Sequence, residues 1–273
     1  MKVIHIFFLL ALATSAKADI VWHWQDTFSD SEKQKLRTWI IQIHAGVEHA
    51  VAPLPFKTHI YFHRRDNASE PVPWAHTERF QFRQGVHFHV DTRFPLNDFM
   101  ADWTAPHEIS HLLLPAVGRK NAWFAEGFAS YMQYHVMLNM GLLSKPEVDA
   151  LYTQKIDRAQ SNYTQINQPF IAGIKKLMER QDYPTMYWGG AVYFLRVDTQ
   201  LKKQSSSLNS VLKTFLDCCR TQPFELSSLI HALDRISSSK IFSHEYNAML
   251  NIPGFPDRNI DLPGSRPSRP ASR

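Results

Sequence analysis

The sequence predicts an α+β fold in which a small sheet-bearing first half is followed by a mostly helical second half. Three observations carry that expectation. Period-two alternation of apolar and polar residues is confined to the stretch before about residue 90, helical stripes recur from Asn97 onward, and a His-Glu-x-x-His segment falls where the two regimes meet. Composition removes other classes. With 273 residues, 44% of them apolar, and two cysteines, the chain is no disulfide scaffold, disordered polymer or multi-span membrane protein. The formal charge of +5 equals the contribution of Lys2, Lys17, Arg266, Arg269 and Arg273 at the two ends. The intervening body is neutral, so the high pI gives no nucleic-acid signal.

Residues 1–18 read as an export signal: Lys2, an apolar run from Val3 to about Thr14, then Ala16-Lys17-Ala18 before Asp19. The run is shorter than the ~20 residues a bilayer span requires, so cleavage after Ala18 is expected. The mature protein would then be periplasmic or secreted, with no membrane span. Ser29 to Val51 is a predicted helix. Ser29 and Glu32 have capping-box spacing, and Leu36, Trp39, Ile40, Ile43 and Val47 form one buried stripe. After Pro53 and Pro55, His59 to His63 alternates as a strand. Phe80 to Val90 does the same, interrupted at Gln84-Gly85 as a hairpin or bulge.

Ser144-Lys145-Pro146-Glu147 combines a cap, an early Pro and the box Glu, and so marks a helix start. Thr185 to Lys203, Ser207 to Leu216 and Glu225 to Ser238 are further amphipathic helices. Residues 19–140 are expected to form the sheet-bearing subdomain, 141–262 the helical one, and 263–273, rich in Pro, Ser and Arg, a disordered tail. Adjacent Cys218 and Cys219 could pair only with each other, and two packed thiols are the expectation.

The chemistry concentrates in His107-Glu108-Ile109-Ser110-His111. On a helix, residues four apart share a face, so both imidazoles can reach one metal ion while Glu108 points at water in the open coordination position. Thr104 is placed to cap this helix, Pro106 lies in its first turn, and Leu112 to Leu114 continue it into the core. A catalytic zinc needs a third protein ligand. Glu126, within Asn121 to Tyr131, follows His111 after fourteen intervening residues, room for a helix end, a turn and a second helix start.

His107-Glu108-x-x-His111 together with Trp123-Phe124-Ala125-Glu126-Gly127-Phe128-Ala129-Ser130-Tyr131 resembles the gluzincins, zinc metallopeptidases such as aminopeptidase N and the bacterial glycyl aminopeptidases. Tyr187-Trp188-Gly189-Gly190-Ala191-Val192 is similar to that family's Tyr-x-x-Gly-Ala segment, and Val197-Asp198-Thr199-Gln200-Leu201 also fits. The resemblance spans about residues 80 to 215. It implies a thermolysin-like catalytic domain, one zinc ion per chain on His107, His111 and Glu126, and a peptide or protein substrate. It makes Glu108 the general base and Tyr187 the donor to the oxyanion, a role that Tyr183, four residues earlier, could also fill.

By the same resemblance, Gly85 to Val90 stands where the family's substrate-pairing edge strand precedes the zinc helix. His87 and His89, on one face of that strand, admit a second-metal reading, but packed or solvated histidines are the expectation. No Gly-Ala-Met-Glu-Asn segment precedes His107, so the glutamate that anchors a free amino terminus in that family has no counterpart. Endo- versus aminopeptidase cleavage is left open. His244-Glu245-Tyr246-Asn247-Ala248 imitates half the zinc motif, and a surface helix is expected there. The competing functional reading is a zinc-stabilised binding module of the cell envelope without turnover.

Overall fold

The computed structural model describes residues 19–80, 83–163 and 166–258; the expected leader and the tail lie outside them. The chain opens with β1 (Ile20–Trp24) and α1 (Asp30–Ala50). Helix α1 starts at the capping box read from the sequence: the Ser29 hydroxyl accepts from the Glu32 amide, and the Glu32 carboxylate accepts from the Ser29 amide. Strands β2 (Thr58–Arg64), β3 (Trp74–Phe80) and β4 (Arg83–Val90) complete a four-stranded mixed sheet of order β1-β2-β4-β3. β1, β2 and β4 run parallel, and β3 is antiparallel to β4.

The alternation is not interrupted at Gln84-Gly85: β3 ends at Phe80, β4 begins at Arg83 opposite it, and Gly85 sits inside β4. It is glycine because the neighbouring strand comes close: a Cβ there would lie 2.6 Å from the His59 carbonyl oxygen. β4 is therefore an interior strand, and the edge beside the zinc-motif helix is β3. Ile60, Phe62, Val86 and Phe88 are buried on one sheet face, where Trp39 of α1 meets Phe88 edge-on at 5.1 Å. On the other face His23, Tyr61, His87 and His76 stack in a row, at 4.2, 4.1 and 4.6 Å between successive rings.

Helices follow: α2 (Leu96–Ala101), α3 (Thr104–Ser110), α4 (Ala122–Asn139), α5 (Lys145–Tyr163), α6 (Phe170–Glu179), α7 (Tyr183–Lys203), α8 (Leu208–Cys218), α9 (Leu226–Ile236) and α10 (Ile241–Asn251). Thr104 is the first residue of α3, not its cap. The Asp102 carboxylate accepts the Thr104 amide at 2.7 Å instead, and His111–Leu113 tighten into a 3-10 turn.

α4 and α7 cross backbone to backbone. A Cβ on Gly127 would lie 2.3 Å from the Gly190 carbonyl carbon, and one on Gly190 would lie 2.1 Å from the Trp123 carbonyl oxygen. This crossing fixes Tyr187, one turn before Gly190, relative to Glu126. In α10, Glu245 is buried and bound by Arg196 Nε at 2.6 Å, so this helix is anchored to the core rather than lying on the surface. Cys218 and Cys219 are joined by a disulfide, against the expectation of two thiols. α8 ends there, and Cys219 leaves helical geometry (φ −138°, ψ −20°), which lets the adjacent sulfurs turn toward each other. Among the described residues, no helix is long and apolar enough to cross a membrane.

Candidate metal centre

α3 and α4 bring the three predicted ligands together. His107 Nε2 and His111 Nε2 lie 3.2 and 3.5 Å from the same oxygen, Glu126 Oε2, and the three donor atoms all fall within 4.8 Å of one another. The two imidazole planes are nearly perpendicular, at 86° with ring centres 4.9 Å apart. Two imidazole nitrogens and one carboxylate oxygen facing one point form a donor set that fits zinc. A tetrahedral ion held by these three residues would keep one position for water or substrate. Among the described residues no other cluster of three such side chains converges in this way. His87 and His89 are spent in the aromatic stack of the sheet, where His89 packs between His63 and Trp74.

Gln133 was not apparent from the sequence as part of the site. It lies seven residues after Glu126, two turns along the same face of α4, and its Oε1 accepts the Nδ1 proton of His107 at 2.8 Å. That bond fixes the tautomer that leaves the His107 Nε2 lone pair free for a metal. His111 Nδ1 is buried with no partner among the described residues. Burial pushes the Glu126 carboxyl up, but the facing imidazoles outweigh it and hold the group well below the usual carboxylate range. Burial lowers His107, yet its bond to Glu126 and the nearby carboxylates leave it raised. His111, under the same burial, stays lowered.

Glu108 lines the same cleft, a space of about 470 Å³ between β3 and the helices. The Thr77 hydroxyl of β3 donates to its Oε2 at 2.6 Å, a second positioning contact without sequence signal. Tyr187 lines the cleft with its ring 6.3 Å from that of His107. Burial, together with the Glu126 and Glu108 charges, pushes its phenol up, so the hydroxyl keeps its proton as a donor. Tyr183, 43% exposed at the start of α7, does not line the cleft.

No family model matches the sequence, and no curated protein matches it. Solved structures do match the fold. Yeast LTA4 hydrolase in complex with bestatin aligns over 89% of this chain and 39% of its own, at 9% identity and a TM-score of 0.57. A mutant two-domain M1 zinc metallopeptidase bound to L-tryptophan aligns over 85% and 47%, at 11% identity and 0.51. A mutant M1 zinc metallopeptidase from Deinococcus radiodurans bound to a Tyr-Ser-Ala substrate aligns over 86% and 48%, at 11% identity and 0.50. The chain spans less than half the length of these structures and shares its fold with the matched part of them.

Proposed function

We propose that the chain is a gluzincin-type zinc peptidase with the thermolysin-like arrangement of that class, hydrolysing peptide bonds with Glu108 as general base. The observation that carries this reading is the convergence of His107, His111 and Glu126 on one point at the floor of a cleft that Glu108 and Tyr187 also line. A zinc ion held there would polarise the scissile carbonyl and acidify the attacking water. Glu108, oriented by Thr77, takes the proton of that water and delivers one to the leaving amine. The Tyr187 hydroxyl donates to the carbonyl oxygen as it gains charge. Gln133 keeps His107 in the liganding tautomer. Edge strand β3, paired among the described residues only with β4, offers its outer main-chain groups to an extended peptide.

The reading as a zinc-stabilised module without turnover is less well supported. Such a site has no need of a carboxylate held in the cleft by its own hydroxyl donor, and it usually closes the fourth position with protein. Glu108→Gln decides between the two. Hydrolysis of a mixed-peptide digest is expected to disappear while zinc stays near one per chain, and full peptidase activity in this variant would refute the assigned mechanism.

A further inference from the structure

Beyond the metal centre, the described residues line an open cavity of about 660 Å³ between the ends of the sheet strands and the segment after α8. Its lining carries Lys57, Arg79 and Arg220 and no aspartate or glutamate. Arg220 is 3% exposed. Its Nε donates to the Leu112 carbonyl at 2.7 Å and its Nη2 to Gln84 Oε1 at 2.8 Å, and its plane lies 4.8 Å from the Phe56 ring centre. Arg79 Nη1 donates to the His111 carbonyl at 3.2 Å.

Three other arginines in this fold have acids: Arg64 with Glu32, Arg93 with Asp91 and Arg196 with Glu245. Among the described residues neither Arg79 nor Arg220 has a carboxylate at ion-pair distance. Burial and the Arg79 charge push the Arg220 guanidinium down to about 9, still charged at neutral pH. Arg220 is a buried guanidinium without an ion-pair partner among the described residues, and the part-buried Arg79 feels Glu126 and Glu108 only from beyond ion-pair distance; a bound anion in the cavity would relieve the charge of both.

The cavity and the metal cleft meet at Arg79. Arg79 lines the cavity, lines the cleft of His107, Glu108 and Tyr187, and lines a third space of about 300 Å³ that Thr77 and Glu126 share. Arg79 follows Thr77 by two residues on the same face of β3, about 7 Å along the strand. Thr77 marks the reacting position through its bond to Glu108. A peptide lying along β3 would therefore bring a group within two or three residues of the scissile bond up to the guanidiniums.

Resting on the peptidase reading above, we propose that Arg79 and Arg220 form a carboxylate-binding subsite, so that the substrates are peptides with an acidic side chain or a C-terminal carboxylate within about three residues of the cut. The planar forks match a carboxylate, and the amide of Gln84 and the face of Phe56 hold Arg220 in place.

The test uses the full-length zinc-loaded protein and a matched peptide series: neutral with an amidated end, neutral with a free C-terminal carboxylate, and amidated with Glu one, two or three residues to either side of the cleaved bond. kcat/KM is measured for each peptide, and binding of the same peptides to the Glu108→Gln protein is followed by calorimetry. A preference of about tenfold or more for one of the carboxylate arms is expected in both readouts. The arm that shows it identifies the side chain or the terminus as the recognised group. Arg220→Gln should bring the acidic-to-neutral ratio toward one, and Arg220→Lys should restore part of it, with melting temperature and zinc content reporting whether each variant folds. Arg79→Gln gives the same reading should Arg220→Gln fail to fold.

Equal binding and cleavage of acidic and neutral peptides, or a preference that survives both Arg→Gln changes, would overturn the subsite. Cleavage without preference leaves the peptidase reading standing. Carboxylate-selective binding that depends on Arg220, without any cleavage by the wild-type protein, sustains the subsite and removes the peptidase.

Discussion

Replacing Gly127 with alanine tests whether the α4–α7 crossing holds the site together. The added Cβ would sit 2.3 Å from the Gly190 carbonyl carbon, where ordinary contact begins near 3.4 Å, so the two helices must part by about 1 Å. Two effects compete. Alanine favours an exposed helix over glycine by roughly 1 kcal/mol. Overpacking against backbone, which cannot rotate away as a side chain can, costs about 1–3 kcal/mol or somewhat more. The clash should win by about 1–2 kcal/mol, lowering the melting temperature by roughly 2–8 °C for a chain of this size. Activity should suffer more than stability. Glu126 lies on one helix and Tyr187 on the other, and a misplacement of about 1 Å at a catalytic constellation costs on the order of a hundredfold.

Scanning fluorimetry measures the first effect, and kcat/KM on a chromogenic peptide the second. Gly46→Ala in α1 is the control. Its Cβ would meet only the thioether end of Met140, at 2.3 Å from Sδ, which can swing aside. A Gly127→Ala protein with the melting temperature and kcat/KM of the parent would show that the α4–α7 crossing does not hold the site.

Further expectations follow from the same contacts. Gln133→Ala removes the acceptor of the His107 Nδ1 proton and should weaken zinc affinity by about 10- to 100-fold in competition with a chelator, while the fold stays intact. Arg64, ahead of the Thr92 and Ser29 contacts, holds Glu32 at about 2 against its ordinary 4.5. Its pKa is depressed in the folded state, so its contribution is full above about pH 4.5 and is lost as the pH falls through about 2. Glu32→Gln should flatten that part of an acid-unfolding curve followed by circular dichroism, and an unchanged curve would rule the contribution out.

The ends of helices were legible because capping is local chemistry. Ser29 with Glu32, Ser144 with Glu147 and Ser207 before α8 announce themselves within four residues, and each starts a helix where expected. The metal ligands were legible for a similar reason, since helical period and a short connection bring His107, His111 and Glu126 together. Edge strand β3 was not. Its sequence, Trp-Ala-His-Thr-Glu-Arg-Phe, mixes polar residues on both faces because one face meets the stacked histidines and the other lines the cleft. β1 and α6 are short and take their support from packing rather than from propensity. The edge position, moved from β4 to β3, depended on strand order, which no periodicity records. Thr77, Arg79 and Arg220 carry no motif, and their partners lie 31, 32 and 108 residues away in sequence. Gln133 was within reach, two turns beyond Glu126 on the same face.

Whether His107, His111 and Glu126 hold one zinc ion together is decided by zinc content after exhaustive dialysis, measured by mass spectrometry on wild-type protein and Glu126→Ala side by side. Close to one zinc per chain in the first and close to none in the second is the predicted pair. Zinc missing from the wild type, or retained in full by the variant, would contradict it.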